Sequence, residues 1–351
     1  MFSCVSAPPT LPSTVWRIPE GFRIVGYFPS WSGDPKVIRY KALTHINYAF
    51  ALVDPSGDFR PVEAPEKLGA LVAKAHSSGV KVLISIGGWN EGDTSAFGAI
   101  SSDPDRIQNF VQRTVDFLTL FHLDGVDLDW EFPDQATSAG YTALVQTLSD
   151  TLRPRGWRVS LAVTATDDNG QFISQEALQA ADWINVMAYD DGYGQPAAVP
   201  HSSYFYTRAA LDYWLKSRQV PASKVILGVP FYGRSLIDRH ARTYRSLVQQ
   251  FPAAVVTDVA GGFNFNGPET IRAKVVNQAR LRAGGVMIWQ LNQDAQGSQS
   301  LLSLIYETVK EPVEDSHAGN KPLVLEHARS EQQPGVVRGP SSGLPVCETG
   351  S

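Results

Sequence analysis

Cysteine is scarce in this sequence, with only Cys4 and Cys347 among 351 residues. Two thiols cannot build a disulfide framework, and these two lack the close spacing of a structural zinc site. A bridge between them would require the two ends of the chain to meet. The seven histidines are scattered along the chain and also lack zinc-type spacing.

Long apolar runs and runs of positive charge are also missing. No stretch approaches 18 consecutive apolar residues, so no transmembrane helix is predicted. Residues 1–19 lack the basic start and apolar centre of a signal peptide. With 30 Lys and Arg against 35 Asp and Glu, the net charge is −5. Because there is no basic run, nothing indicates a nucleic acid or a membrane surface as partner.

The chain does contain a regular alternation of two kinds of segment. Eight short apolar segments are predicted as strands, at residues 23–28, 45–52, 81–86, 126–132, 157–165, 183–189, 225–231 and 285–291. Apolar residues at helical spacing predict helices at residues 65–78, 103–122, 137–152, 174–181, 206–217, 268–282 and 298–310. The clearest helix has Asp103 as its N-cap and Pro104 in its first turn.

This alternation indicates an α/β protein. Strands that are apolar on both faces and alternate with helices form parallel sheets. Eight such repeats in about 290 residues indicate a (β/α)8 TIM barrel rather than an open sheet. We expect the barrel at residues 22–311, after a disordered leader at 1–21. A disordered tail is expected at 312–351, where the composition turns polar and rich in proline.

The stretch from Asp124 to Pro133 has an unusual charge pattern. Asp127, Asp129 and Glu131 alternate with apolar residues, which places three acids on one face of a strand. Like charges repel and Asp is a poor strand former, so an ordinary surface strand seldom carries such a row. The pattern predicts a catalytic or ligand-binding strand, and a solvated edge strand is the alternative.

A divalent cation is one ligand that such acids could bind. Acids that alternate along one strand lack the loop geometry of a calcium site, however. We therefore predict no metal and no cofactor. Asp124 has the opposite parity to the other three acids and is expected to be a capping or turn residue.

The barrel prediction also says where the chemistry should lie. Active sites of these barrels form at the carboxyl ends of the strands. Unusual polar and aromatic residues stand at five predicted strand ends: Gly87, Gly88, Trp89, Asp129, Glu131, Tyr189, Asp190, Tyr232, Trp289 and Gln290. We expect these residues to converge on one mouth.

Four motifs, in this order along the chain, resemble those of glycoside hydrolase family 18, the chitinases and their relatives. The family signature Asp-x-x-Asp-x-Asp-x-Glu is filled by Asp124, Asp127, Asp129 and Glu131. The sequence is also similar to the family motifs on strands three, six and eight, at residues 85–88, 187–190 and 284–289. The resemblance covers residues 22–311.

The resemblance implies a retaining, substrate-assisted hydrolase of β-1,4-linked N-acetylglucosamine polymers. Glu131 would be the general acid and later the base, while the acetamido oxygen of the sugar is the nucleophile. Asp129 would hold the acetamido N–H, and Tyr189 would donate its hydroxyl to the acetamido oxygen. Asp127 would share protons with these acids or serve only as support. We expect like-charge repulsion from Asp127 and Asp129 to raise the pKa of Glu131.

Further residues are predicted to bind the sugar. Trp289 would form the floor beneath it, and Asp190 would hydrogen-bond close to it. The other predicted substrate-binding residues are Met187, Tyr27, Phe50, Gly88, Trp89 and Tyr232. Trp31 is one more candidate ring, and packing is the alternative role for the rings at the rim.

The connection after the seventh strand determines the expected shape of the groove. Many family members insert a small α/β domain here, whereas residues 234–267 are too few for a full one and residues 261–266 are predicted as a loop. We expect an open groove and endo-type cleavage. Two alternatives stay open, an endo-β-N-acetylglucosaminidase acting on N-glycans and a non-catalytic chitin-binding lectin.

The resemblance also implies partners and location. We expect chitin or N-acetylglucosamine oligosaccharides as ligands, no nucleic acid, no membrane, and a monomer. Polymeric chitin lies outside cells, so an extracellular protein is expected although no signal peptide is recognised.

Overall fold

A computed structural model describes residues 18–192 and 199–310 of the chain. The strands in chain order are β1 (Arg23–Pro29), β2 (His45–Ala51), β3 (Lys81–Gly88), β4 (Gly125–Trp130), β5 (Arg158–Thr164), β6 (Trp183–Met187), β7 (Val225–Pro230), β8 (Tyr232–Ser235), β9 (Ala241–Thr243), β10 (Val259–Ala260), β11 (Phe263–Asn264) and β12 (Gly285–Trp289). Eight of them form a closed parallel barrel in the order β1-β12-β7-β6-β5-β4-β3-β2. The predicted (β/α)8 barrel is therefore confirmed.

Helices connect the barrel strands on the outside. They are α1 (Pro65–Ser77), α2 (Ser95–Ser101), α3 (Pro104–Phe121), α4 (Ser138–Leu152), α5 (Asp167–Gly170), α6 (Gln175–Ala180), α7 (Tyr204–Asp212), α8 (Tyr244–Gln250), α9 (Pro268–Lys274) and α10 (Leu301–Lys310). Two predicted helices, at 206–217 and 268–282, are only partly α-helical, because α7 and α9 each continue as a π-helical turn. No helix within the described ranges is long and apolar enough to cross a membrane.

Helix α3 illustrates how local sequence chemistry defines an element. The Asp103 carboxylate accepts a hydrogen bond from the Asp105 amide at 2.9 Å, and Pro104 occupies the first turn. His122 ends the helix in a left-handed conformation. The face that repeats at helical spacing is buried against the barrel: Ile107, Phe110, Val111, Thr114, Phe117 and Leu118.

The core has two layers that differ in chemistry. The outer layer lies between strands and helices and contains the larger cluster of apolar side chains. The barrel interior holds a smaller apolar cluster that includes Tyr27, Leu83 and Met287, together with buried polar residues such as Asp127 and Asn185. Polar chemistry is thus concentrated inside the barrel and at its carboxyl mouth.

The connection between β7 and α9 differs from the loop that we predicted. It contains α8 and a small antiparallel sheet of four short strands in the order β10-β11-β8-β9. Residues 261–266 include β11, whose Phe263 and Asn264 pair with Ser235 and Arg234 of β8. Strands of two to four residues are too short to show the alternation on which a strand prediction depends, which explains the error.

Parts of the expected domain organisation lie outside the described residues. These are residues 1–17 of the expected leader, the expected tail at 312–351, and both Cys4 and Cys347. The leader, the tail and the cysteine pairing remain predictions from the sequence.

Candidate active site

Asp127 lies inside the barrel and is fully buried. Its two oxygens accept four hydrogen bonds, from Tyr27 at 2.7 Å, Ser85 at 2.8 Å, Ser160 at 2.6 Å and Asn185 at 3.0 Å. These donors come from β1, β3, β5 and β6, so the carboxyl links strands on several sides of the barrel. Burial raises the pKa of Asp127, and the four hydrogen bonds oppose that shift.

Asp129 follows on the same face of β4 and is also buried. Burial raises its pKa well above the usual range, and the negative charges of Glu131 and Asp127 raise it further. Its Oδ1 atom has no hydrogen-bond partner among the described residues. The surroundings of Asp129 therefore favour its protonated form, and its Oδ1 is a buried acceptor without a partner among the described residues.

Glu131 lies just past the end of β4 and is half-buried. Burial is the largest cause that raises its pKa, to about 7, and the charge of Asp190 adds to it. The expected cause was repulsion from Asp127 and Asp129, and this expectation is wrong. A hydrogen bond with Asp129 lowers the pKa of Glu131, because Asp129 keeps a proton that it can donate.

Asp190 is held as an anion. The Arg234 guanidinium donates to both of its oxygens at 2.7 Å, and the Tyr232 hydroxyl donates to Oδ2 at 2.8 Å. Nδ1 of the buried His201 lies 3.4 Å from Oδ1. Although burial opposes the shift, hydrogen bonds from His201 and Arg234 hold the pKa of Asp190 well below its usual range. Each oxygen is already engaged, so Asp190 acts on its surroundings mainly through its charge.

Tyr189 precedes Asp190 at the end of β6. Its hydroxyl donates to the Met287 sulfur, a weak acceptor at 3.8 Å. Burial and the neighbouring Tyr232 hydroxyl raise the pKa of Tyr189 well above its usual value. The phenol therefore stays protonated and is available to donate to a stronger acceptor.

Aromatic rings form a row at the mouth. Trp289 contacts Tyr27 edge-on at 5.4 Å between ring centroids and stacks with Phe50 at 5.7 Å. Phe50 stacks in turn with Trp31 at 6.0 Å. Trp31 and Trp89 are each 51% exposed, which leaves ring surface open to a ligand.

The glycines of β3 shape this region through close approach. A Cβ atom on Gly88 would lie 2.5 Å from the Phe50 ring, and one on Gly87 would lie 2.3 Å from the Asp129 carbonyl oxygen. Gly87 also has a φ of +111°, which favours glycine. Gly88 therefore makes room for Phe50 and does not itself line the cavity.

These groups surround a cavity of about 1000 Å³ at the carboxyl mouth. The predicted site residues that line it are Tyr27, Trp89, Asp129, Glu131, Met187, Tyr189, Asp190 and Trp289. Those that do not line it are Asp127, Phe50, Gly88 and Tyr232, which support the lining from behind. In the part of the chain that the structure describes, no group of three or more His, Cys, Asp or Glu is arranged to hold a metal.

Several lining residues were missed by the sequence reasoning. They include Thr164, Asp168, Asp191, Tyr206 and Arg234. Arg234 had a weak signal, since it lies two residues after Tyr232 and so shares its side of a strand. The others belong to no motif that the sequence displays.

The closed barrel carries carboxyl groups at the mouth end of its fourth strand, an arrangement typical of barrel glycosidases. Residues 23–294 match the family model described as glycosyl hydrolases family 18. The chain belongs to this family, as the motifs predicted.

Individual relatives agree with this assignment. Chitotriosidase-1 of Mus musculus is 25% identical in an alignment covering 92% of this chain and 84% of that protein. The solved structure of the chitinase ChiB from Flavobacterium johnsoniae is 33% identical, with a TM-score of 0.75, and covers 82% of this chain and 94% of that one. Probable chitinases 10 and 2 of Drosophila melanogaster are 26% and 28% identical, but the chain spans only 16% and 49% of their lengths.

Proposed function

We propose that the protein is a chitinase that hydrolyses β-1,4-linked N-acetylglucosamine polymers with retention, using the substrate's acetamido group as nucleophile. The observation that carries this proposal is the burial of Asp129 next to Glu131. The pKa of Asp129 is raised well above the usual range. Surroundings that favour the protonated form make Asp129 a poor nucleophile, which supports a nucleophile supplied by the substrate.

The geometry supports a role for each group around the reacting sugar. Glu131, with a pKa near 7, is poised to protonate the leaving oxygen and later to activate water. The Oδ1 atom of Asp129, which has no partner among the described residues, suits an acetamido N–H donor. The Tyr189 hydroxyl, held only by a weak sulfur contact, suits the acetamido oxygen. Trp289 offers a ring on which the sugar can stack.

Charge at the mouth favours the same chemistry. An oxazolinium intermediate carries positive charge close to the anomeric carbon. Asp190 keeps its negative charge near Glu131 and would stabilise that intermediate through space. We propose this electrostatic role for Asp190 in place of a direct hydrogen bond to the sugar.

Endo-type action is proposed from the exposed rings at the mouth. Trp31 and Trp89 are both half exposed and could each stack with sugars of a long chain. We also propose that the protein acts outside the cell, where polymeric chitin occurs, and that it works as a monomer. The ligand would then be chitin or its soluble oligosaccharides.

Replacing the acid tests the proposal. The Glu131→Gln substitution keeps the shape and removes the proton, so it should lower kcat at least about 100-fold, while oligosaccharide binding persists. Glu307→Gln on α10 is a matched control, because Glu307 is exposed, lies outside the cavity lining and pairs with neighbouring Lys310. Turnover of N-acetylglucosamine oligomers by Glu131→Gln at the control's rate would contradict the role of Glu131.

Products distinguish the alternatives. Oligomers of increasing length should release internal fragments that keep the β-anomer, as shown by chromatography with anomer analysis. Release of glycan from a glycoprotein, without cleavage of the oligomers, would favour an endo-β-N-acetylglucosaminidase. Binding to chitin without any cleavage would favour a lectin.

A further inference from the structure

Lys274 is a buried cation that none of the steps above uses. It is the last residue of α9, is 0% exposed, and does not line the cavity. A buried ammonium is costly unless its donors are fully paired. A π-helical turn begins directly after it, a feature that is frequent at functional sites.

The hydrogen bonds of Lys274 match its three donors. Nζ donates to the Ser202 carbonyl oxygen at 2.7 Å, to the Ser202 hydroxyl at 2.8 Å and to Oδ1 of Asn266 at 2.7 Å. Nδ2 of Asn266 donates to the same Ser202 carbonyl at 2.8 Å. The Ser202 carbonyl oxygen thus accepts hydrogen bonds from both Lys274 and Asn266. The three acceptors around Nζ match the three donors of a charged lysine.

Ser202, which Lys274 holds in place, is also hydrogen-bonded to the residues that follow β6. Its hydroxyl donates to the Ala188 carbonyl oxygen at 2.7 Å, immediately before Tyr189. The adjacent His201 accepts a hydrogen bond from the Asp191 amide through its carbonyl oxygen, at 2.8 Å. Residues 188–191 are therefore hydrogen-bonded to residues 201–202 at both ends. The segment lies beyond the last residue pair between β6 and β5, which is Met187 with Thr164.

This support matters because 188–191 is not held by a strand ladder. Asp190 has a φ of +60°, which costs energy in a residue that is not glycine. Contacts outside the segment must therefore hold Tyr189 and Asp190 in place. The Arg234 guanidinium holds the Asp190 carboxylate directly, and Lys274, through Ser202, anchors the backbone at Ala188.

We propose that Lys274 is a positioning residue that fixes the Tyr189 hydroxyl for the acetamido oxygen, acting through Ser202 and the Ala188 carbonyl. This role rests on the proposed function, since it needs a substrate acetamido group. Burial lowers the pKa of Lys274 to about 7, and the charge of Asp258 opposes that shift. Burial is the main cause that lowers the pKa of His201, and the charge of Lys274 adds to that shift.

The first test is Lys274→Met, which keeps the apolar stem and removes all three donors. Because a small misplacement of a reacting group is costly, we expect kcat on N-acetylglucosamine oligomers to fall about 10- to 100-fold, with KM nearly unchanged. Lys224→Met is the matched control. Lys224 also donates to three carbonyls, those of Leu178, Gln179 and Ala181, but it lies at the amino end of β7. The kcat of Lys224→Met should stay near that of the parent protein.

A double-mutant cycle separates positioning from general support. If Lys274 acts through Tyr189, its replacement in a Tyr189→Phe background should change kcat by less than about threefold. Losses that multiply would overturn the proposal. Should Lys274→Met fail to fold, Ser202→Ala removes the bond to Ala188 and should reproduce the same non-additive pattern.

An NMR measurement that needs no turnover distinguishes failure of the Lys274 proposal from failure of the proposed function. Tyrosine labelled with ¹³C at Cζ gives one signal per ring, and Tyr189→Phe identifies the signal of Tyr189. That signal should shift in Lys274→Met and stay in place in Lys224→Met; an unshifted signal in Lys274→Met would overturn the positioning role. Failure of the parent protein to cleave oligomers would refute the proposed function and leave this readout intact.

Discussion

Among single residues, Glu131 shows most clearly how surroundings determine chemistry. Its carboxyl is half-buried, and besides burial its pKa is raised by the anion of Asp190, which lies just past the end of β6. Asp190 can remain charged because Arg234 and Tyr232 donate to it. The proton on the acid therefore depends on an ion pair across the mouth as well as on the acidic strand itself.

The pH dependence of activity follows from this arrangement. A general acid must be protonated, so kcat should fall as pH rises through about 7, the pKa of Glu131. Asp190→Asn removes the charge that raises this pKa and should move the alkaline limb to lower pH. Initial rates on an oligomer between about pH 4 and 9 test both expectations. An alkaline limb that is unchanged in Asp190→Asn would contradict the electrostatic role of Asp190.

Among the elements, β3 and β4 determine where the acids lie. They pair in parallel, with Ser85 opposite Asp127 and Gly87 opposite Asp129. The alternation of β4 directs both aspartates to the barrel interior, while Glu131 follows at the strand end. The close approach at Gly87 keeps the two backbones in register beside the acids.

A methyl group at Gly87 should disturb this pairing. Gly87→Ala brings a Cβ to 2.3 Å from the Asp129 carbonyl at a positive φ. We expect a loss of about 2–4 kcal/mol in the free energy of unfolding, together with a lower kcat, measured by denaturant titration and initial rates.

Gly69→Ala is the contrasting substitution for that experiment. Gly69 lies within α1, and a Cβ there meets no atom within 4 Å. This change should stabilise the protein by about 0.5–1 kcal/mol without altering kcat. Equal stability effects from the two substitutions would contradict the role of the β3–β4 approach.

For the whole molecule, the barrel provides burial that no single strand could provide. It buries Asp127 fully and Asp129 almost fully, and this burial raises their pKa values. An acid whose pKa is higher in the folded protein than in the unfolded chain lowers the free energy of unfolding at a pH where it ionises. The site should therefore reduce the stability of the fold.

Stability measurements can reveal this cost. The pKa of Glu131 is about 7 in the folded protein, against its ordinary value of 4.5. The destabilisation should be absent well below pH 4.5, grow as pH rises, and be complete above pH 7. At pH 8 the free energy of unfolding of Glu131→Gln should therefore exceed that of the parent protein by about 1–3 kcal/mol, after discounting for the partial exposure of Glu131. The variant should accordingly unfold at a higher temperature. The gain should shrink toward pH 5, and Glu307→Gln should show no such trend.

The sequence by itself determined the barrel, its eight strands and the motif that carries the acids, because runs of apolar residues and their periodicity are local properties of the chain. It also placed Glu131, Asp129, Tyr189 and Trp289 at one mouth, because parallel strands in a barrel end on the same side. The short strands after β7 were missed, since two to four residues show no period.

Only the tertiary structure decided how the site is charged and held. Asp190 and Arg234 are 44 positions apart, and Lys274 and Ser202 are 72 apart. No spacing along the chain indicates such pairs. The pKa of Glu131 likewise depends on burial and on Asp190, and both exist only once the chain has folded. Local patterns therefore determine which acids are present, whereas long-range packing determines which of them keep a proton.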